Sequence, residues 1–239
     1  MAIFDANVGV TSSGGVISSV ADQSGNGNNL AAASGVTVGP SVNGLPSIQF
    51  AGTSIAANSG LRSTGSWLAG MTRDITIAVA FKTGSTLPNG MTIFNLEPAT
   101  PNYSDDLFFW ITNGGFGLSK RASGWGSISG TIIPAPSTNT LYKVVARFNP
   151  NTGSGCTLDW SVNGGTKTSV IGPAFGTSAN PYTTGAIGQA ATSVAQNNYG
   201  MNGMASTSGQ LLEIHYIKGC LSDADVASYQ AYLTSKWGN

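Results

Sequence analysis

The chain has 239 residues, of which 8% are charged, and its ten basic and ten acidic side chains leave no net charge. Average proteins carry roughly 25% charged residues; without a basic excess to neutralise phosphates, nucleic-acid binding is excluded. With 41% hydrophobic residues and no charge opposing collapse the chain is not disordered.

The length suits one all-β domain spanning 1–239, large enough to bury a core without a disulfide or metal. Ser, Thr, Asn, Gln and 33 glycines must supply the polar surface. The opening MAIFDANVGV lacks a basic stretch followed by an apolar one, so no secretory signal and synthesis in the cytoplasm are expected. Ile3 and Phe4 are expected to pair with the last strand near Ile217, on the same domain. No apolar run reaches the roughly 20 residues that span a bilayer.

Turn signals recur along the whole chain, the rhythm of a sandwich or barrel. Ile75, Ile77, Val79 and Phe81 alternate with Thr76, Ala78, Ala80 and Lys82, predicting a strand. Leu107 to Ile111 is a continuous apolar run and reads as a more buried strand. Tyr142, Val144, Ala146 and Phe148 share one face of another strand, and Cys156, Leu158, Trp160 and Val162 one face of the next. That strand ends in Asn163-Gly164-Gly165, a hairpin signal because the turn needs positive φ. Thr177 to Gly209 reads as loop. In the last strand Leu212, Ile214 and Tyr216 are set against Leu211, Glu213, His215 and Ile217. Ser222 and Asp225 form a capping box for a helix, with Val226, Tyr229, Leu233 and Trp237 on one face and Gly238 at its end. Cys156 and Cys220 are expected as free thiols, given the missing secretion signal.

Two segments resemble a known family. One is VISSVADQSGNGNNL, Val16 to Leu30, followed by NGLPSIQFAG, Asn43 to Gly52; the other is GQLLEIHYIKGCLSDADVASYQAYLTSKWG, Gly209 to Gly238. Together they are similar to the opening and closing motifs of concanavalin A-like (laminin G-like) domains of phage structural and bacterial surface proteins, although Val20 stands where that family often has Trp. The resemblance implies a two-sheet antiparallel jelly-roll sandwich with one C-terminal α-helix, a fold used for sugars, proteins or structure.

Glycoside hydrolysis is an activity of such folds and needs two carboxylates roughly 5–9.5 Å apart. The resemblance implies them as E-x-D-x-E or E-x-D-x-x-E, and the only glutamates, Glu97 and Glu213, sit in neither pattern. Asp105 and Asp106 are adjacent, so on a strand they point to opposite faces. His215 is the only histidine, no G-x-S-x-G elbow accompanies it, and no His/Cys cluster offers a zinc site.

Asp22, Ser24 and Asn26, with Gly27, imitate the start of a calcium loop, but Ala33 occupies the place of the bidentate Glu. Calcium is thus the one cofactor in view, and an Asx-type turn is the favoured reading. Sugar binding needs an exposed aromatic beside amides or carboxylates. Tyr103 with Asn102, Asp105 and Asp106, Trp125 within SGWGS, and Tyr182 and Tyr199 are the candidates. Met201 and Met204 tilt the Tyr199 segment towards a protein contact.

The expected function is non-enzymatic: a bacteriophage virion structural protein, either head decoration or a tail or fibre component. It is expected to be a homo-oligomer, with a trimer favoured, to contact other virion proteins and host surface glycans, and to have no membrane partner. A carbohydrate-binding or receptor-binding adhesin module is the alternative, and a glycoside hydrolase the third reading.

Overall fold

The computed structural model describes residues 1–33, 35–50, 60–64, 74–87, 91–98, 107–112, 115–121, 127–132, 136–149, 156–172, 182–188 and 208–238. Along them run seventeen strands and one helix: β1 (Ala2–Asp5), β2 (Val10–Ser13), β3 (Val16–Val20), β4 (Leu30–Ala32), β5 (Val36–Val42), β6 (Leu45–Phe50), β7 (Leu61–Ser63), β8 (Ile75–Lys82), β9 (Met91–Pro98), β10 (Leu107–Thr112), β11 (Gly115–Arg121), β12 (Ser127–Ile132), β13 (Leu141–Asn149), β14 (Cys156–Val162), β15 (Thr168–Gly172), β16 (Tyr182–Ile187), β17 (Gln210–Lys218) and α1 (Asp223–Trp237).

All pairings are antiparallel. One layer runs β15–β14–β13–β8–β17. The far edge of β17 is shared by β1 along Glu213–Tyr216 and by β6 along Gln210–Leu211, with β5 outside β6. The other layer runs β2–β3–β4–β7–β16–β9–β10–β11–β12. The layers join at one corner, where Val16 of β3 pairs with Thr37 of β5.

Alternation along each strand sorts side chains between two cores. Ile77, Val79 and Phe81 of β8 point between the layers, while Ala78 and Ala80 point outwards under α1. The inner core is aromatic: Phe94 meets Tyr216 edge-on at 5.8 Å, and Phe81 meets Phe109 at 5.9 Å. These contacts cross from β8 and β17 to β9 and β10, which closes the sandwich. The small Ala78 and Ala80 let the helix approach closely enough to bury Val226, Leu233 and Trp237.

The expected sandwich with a single capped C-terminal helix is what forms. Ser222 and Asp225 make both capping-box bonds, and the Gly238 N–H donates to the Thr234 carbonyl at 2.9 Å. Asn163 and Gly164 adopt φ of 50° and 72° at the turn after β14. The opening strand β1 pairs with β17 of its own domain, Ile3 opposite His215 and Phe4 opposite Ile214.

Two expectations are corrected. Strict alternation fails in β17, because the register slips between Leu211 and Glu213. The extra residue, Leu212, joins the outer core, so Leu211, Ile214 and Tyr216 face inwards while Glu213 and His215 turn towards α1. In α1 Val226, Leu233 and Trp237 are buried with Tyr229 packed half-buried against them, as expected, and Gln230 is buried as well. The stretch expected as loop contains β16, which pairs with both β7 and β9. Its buried end, Gly185, Ala186 and Ile187, carries little apolar bulk, so no hydrophobic pattern announced it.

Phe81 is fully buried and touches both Phe109 and Tyr142. Phe81→Ala should lower unfolding stability by about 3–5 kcal/mol, measured by urea denaturation.

Candidate functional site

The outer face of the first layer holds a buried charge. Glu213 is 1% exposed. Its Oε1 accepts from His215 Nε2 and Tyr232 OH, both at 2.7 Å, and its Oε2 from Trp237 Nε1 at 2.8 Å and Lys236 Nζ at 2.9 Å. Lys236 Nζ also donates to Asp5 Oδ2 at 2.6 Å, which ties β1 into the same cluster. Burial alone pushes the Glu213 carboxyl up, but these four donors outweigh it and hold it at about 2. The Tyr232 phenol is pushed up to about 12, by burial first and then by its bond to Glu213. With every lone pair engaged, Glu213 is positioned to brace the fold and not to act as a general acid or base.

Two cations of β13 grip the helix above them. Arg147 reaches the N-terminal end, where its guanidinium donates to the Leu221 carbonyl at 2.6 Å and pairs with Asp159 at 2.9 Å and Asp223 at 2.6 Å. Lys143 reaches the other end and donates to the Gly238 carbonyl at 2.5 Å. Beside α1, the turn after β14 leaves an open groove of about 720 Å³, lined by Asn163, Gly165, Lys167, Asp223, Ala227 and Ala231. Cys220 is a free thiol whose Sγ lies 3.0 Å from the Phe148 carbonyl; burial, then Asp74, push it up to about 11.

The Asp22 turn brings its three candidate ligands together around a strand. Asp22 Oδ1 accepts from the Ile3 and Ser24 backbone N–H groups, both at 2.9 Å, and Oδ2 from Ser24 Oγ, the Asn28 N–H and Asn28 Nδ2 at 2.9–3.0 Å. Asn26 Nδ2 donates to the Met1 carbonyl, which also lies 2.8 Å from Ser24 Oγ as an alternative acceptor for its single proton, and the Gln23 N–H donates to the Ile3 carbonyl. The geometry is an Asx turn whose acceptors are already filled and whose Asn26 presents a donor. It satisfies the backbone of β1 on the edge away from β17, an edge otherwise open to another chain. Hydrogen bonding holds the Asp22 carboxyl below its ordinary range, against the raising effect of burial. Among the described residues no group of three or more His, Cys, Asp or Glu side chains converges on a metal position.

Tyr103, Asp105, Asp106, Trp125 and Tyr199 lie outside the described residues, as does the side chain of Tyr182. The strand ends that flank them are described. Leu107 pairs with Leu96 and with Lys120, Arg121 with Ser127, and Tyr182 with Pro98. Pro98, Leu107, Arg121 and Ser127, the described residues that bound the stretches containing Tyr103, Asp105, Asp106 and Trp125, therefore lie at one end of the second layer. The segment bearing Tyr199 leaves β16 beyond Ile187, which pairs with Phe94 towards the other end. What sequence reasoning missed is the Asp5–Glu213–Tyr232–Lys236 cluster. Its signals were a Glu and a His two apart on the closing strand, and a Tyr and a Lys four apart on the helix.

No protein-family model and no curated protein matches this chain. Solved structures share its fold. A binding domain of botulinum neurotoxin DC in complex with rat synaptotagmin II superposes with a TM-score of 0.67 at 11% identity, covering 100% of this chain and 54% of that one. The botulinum neurotoxin type G receptor-binding domain gives 0.66 at 14%, covering 100% and 53%. This chain thus spans about half the length of those domains. Domain 4 of a GH43 extracellular arabinanase from Geobacillus stearothermophilus, in complex with arabinotriose, gives 0.62 at 13%, covering 96% of this chain and 97% of that one. At these identities the likeness establishes the sandwich fold.

Glu213 has a lowered folded-state pKa, so its contribution is complete above its unfolded value near 4.5 and disappears as pH falls towards about 2. A shift of that size corresponds to roughly 3 kcal/mol. Urea midpoints should therefore fall across this window, and Glu213→Gln should lower stability by about 3 kcal/mol at neutral pH and flatten the acid slope.

Proposed function

We propose that this chain is a non-catalytic binding module whose ligand is a carbohydrate or a carbohydrate-bearing receptor. The observation that carries this reading is the domain-for-domain correspondence with the arabinanase domain solved with arabinotriose, 96% of one chain against 97% of the other. The neurotoxin neighbours, solved with a synaptotagmin and with SialylT, support the same class of role. Under this reading Glu213 braces the fold, and recognition belongs to the strand-end segments.

The binding surface we assign is the end of the second layer where the segments with Tyr103, Asp105, Asp106 and Trp125 are anchored. Aromatic rings supply flat apolar faces for sugar C–H groups, and carboxylates accept from hydroxyls, the usual composition of an oriented polar–apolar site. Loops on a rigid sandwich are where such residues work. The scarcity of charge, 8% of residues, supports the finer reading that the module is carried on a bacteriophage virion as a homo-oligomer. Imaging purified particles with a tagged chain tests that placement independently of ligand.

A glycan array probed with the full chain, with and without calcium, should give a specific set of hits. Trp125→Ala and Tyr103→Ala should each weaken the best hit by roughly tenfold or more, in line with the loss of an aromatic contact, at unchanged thermal stability. An array with no hits in either condition overturns the proposal. Hits that depend on calcium would place the metal in the site.

A further inference from the structure

Two Asn-Gly turns share one backbone conformation. Asn43-Gly44 closes the β5–β6 hairpin with φ of 50° and 76°, and Asn163-Gly164 follows β14 with φ of 50° and 72°. Asn-Gly is the dipeptide most open to intramolecular deamidation, since no side chain shields the glycine nitrogen. The glycine N–H loses its proton and its nitrogen attacks Asn Cγ. The bond from Cγ to Nδ2 breaks and ammonia leaves. Water then opens the cyclic imide at either carbonyl, giving aspartate or isoaspartate, with no oxidant or cofactor consumed.

The backbone cost of reaching the imide is closely similar at the two turns and cancels in a comparison. Hydrogen bonding does not cancel. The Gly164 N–H, which has to supply the nucleophile, donates to Gln230 Oε1 at 3.0 Å. Asn163 Oδ1 accepts from the Lys143 N–H at 2.8 Å. Gln230 is itself buried and held, its Nε2 donating to the Ser161 carbonyl at 2.9 Å. Asn43 and Gly44 are exposed, and Asn43 Nδ2, the departing nitrogen, donates to the Lys236 carbonyl at 2.9 Å.

We propose that Asn43 is a site of spontaneous deamidation and that Gln230 protects Asn163 from the same reaction. The product at position 43 matters because Asn43 holds the C-terminal end of α1. Deamidation removes its side-chain N–H donors and places a carboxylate against the Lys236 carbonyl, at the negative end of the helix dipole. Isoaspartate also lengthens the backbone by one methylene and breaks the tight turn.

Incubation of the full chain in mildly alkaline buffer, followed by peptide mapping with mass spectrometry, tests this. Asn43 should convert roughly several-fold faster than Asn163, as the one additional hydrogen bond lost at Asn163 implies. In urea the two rates should converge. Gln230→Met should accelerate conversion at Asn163 and leave Asn43 unchanged, and Asn43→Asp should lower the Tm. Equal rates at the two sites in the native wild-type chain overturn the proposal. So does a rate difference that persists in urea, a readout that stands even if the Gln230 variant does not fold.

Discussion

A carboxylate removed from water is costly unless donors replace the lost hydration. Glu213 meets that condition with four donors drawn from one strand and one helix, and Lys236 extends the cluster to Asp5 on the opening strand. Residues 5, 213 and 236 are far apart in sequence, so the cluster forms only when β1, β17 and α1 are all in place. The charge therefore selects a register as well as a fold. A shift of either strand by one residue removes Glu213 or Asp5 from Lys236 and leaves a buried charge without its partner.

Around that cluster the helix is fastened at several points. Arg147 and Asp223 hold its start, Lys143 and Asn43 its end, and Gln230 its middle. The chain has few charged side chains, yet these sites bury Lys143, Arg147 and Glu213 beneath one helix.

Much of the fold was legible before any coordinates. The alternation in β8, β13 and β14 is strong because one face meets the aromatic core and the other meets small residues, solvent or the helix. The capping box of α1 is local chemistry, so it reads directly from Ser222 and Asp225. The illegible parts have physical reasons. β16 packs with small side chains, so burial leaves no hydrophobic trace. The Glu213 cluster is assembled from distant residues, and nothing local distinguishes its Glu from a solvent-facing one. The D-x-S-x-N turn was ambiguous because the same oxygens that could ligate a cation also accept backbone N–H groups. In the structure Asp22 takes the Ile3 N–H, a contact that no local pattern announces.

The extra residue at Leu212 has a consequence for how this sequence can change. Upstream of it, β17 keeps one parity of inside and outside; downstream it keeps the opposite one. Loss of a single codon there would exchange Leu211 and its neighbours between the inner core and the face under α1, while the coding of every later residue stayed intact. Substitutions along the closing strand can be absorbed one at a time, but its length cannot drift by one. Natural variants of this chain should therefore differ in the composition of that strand well before they differ in its count.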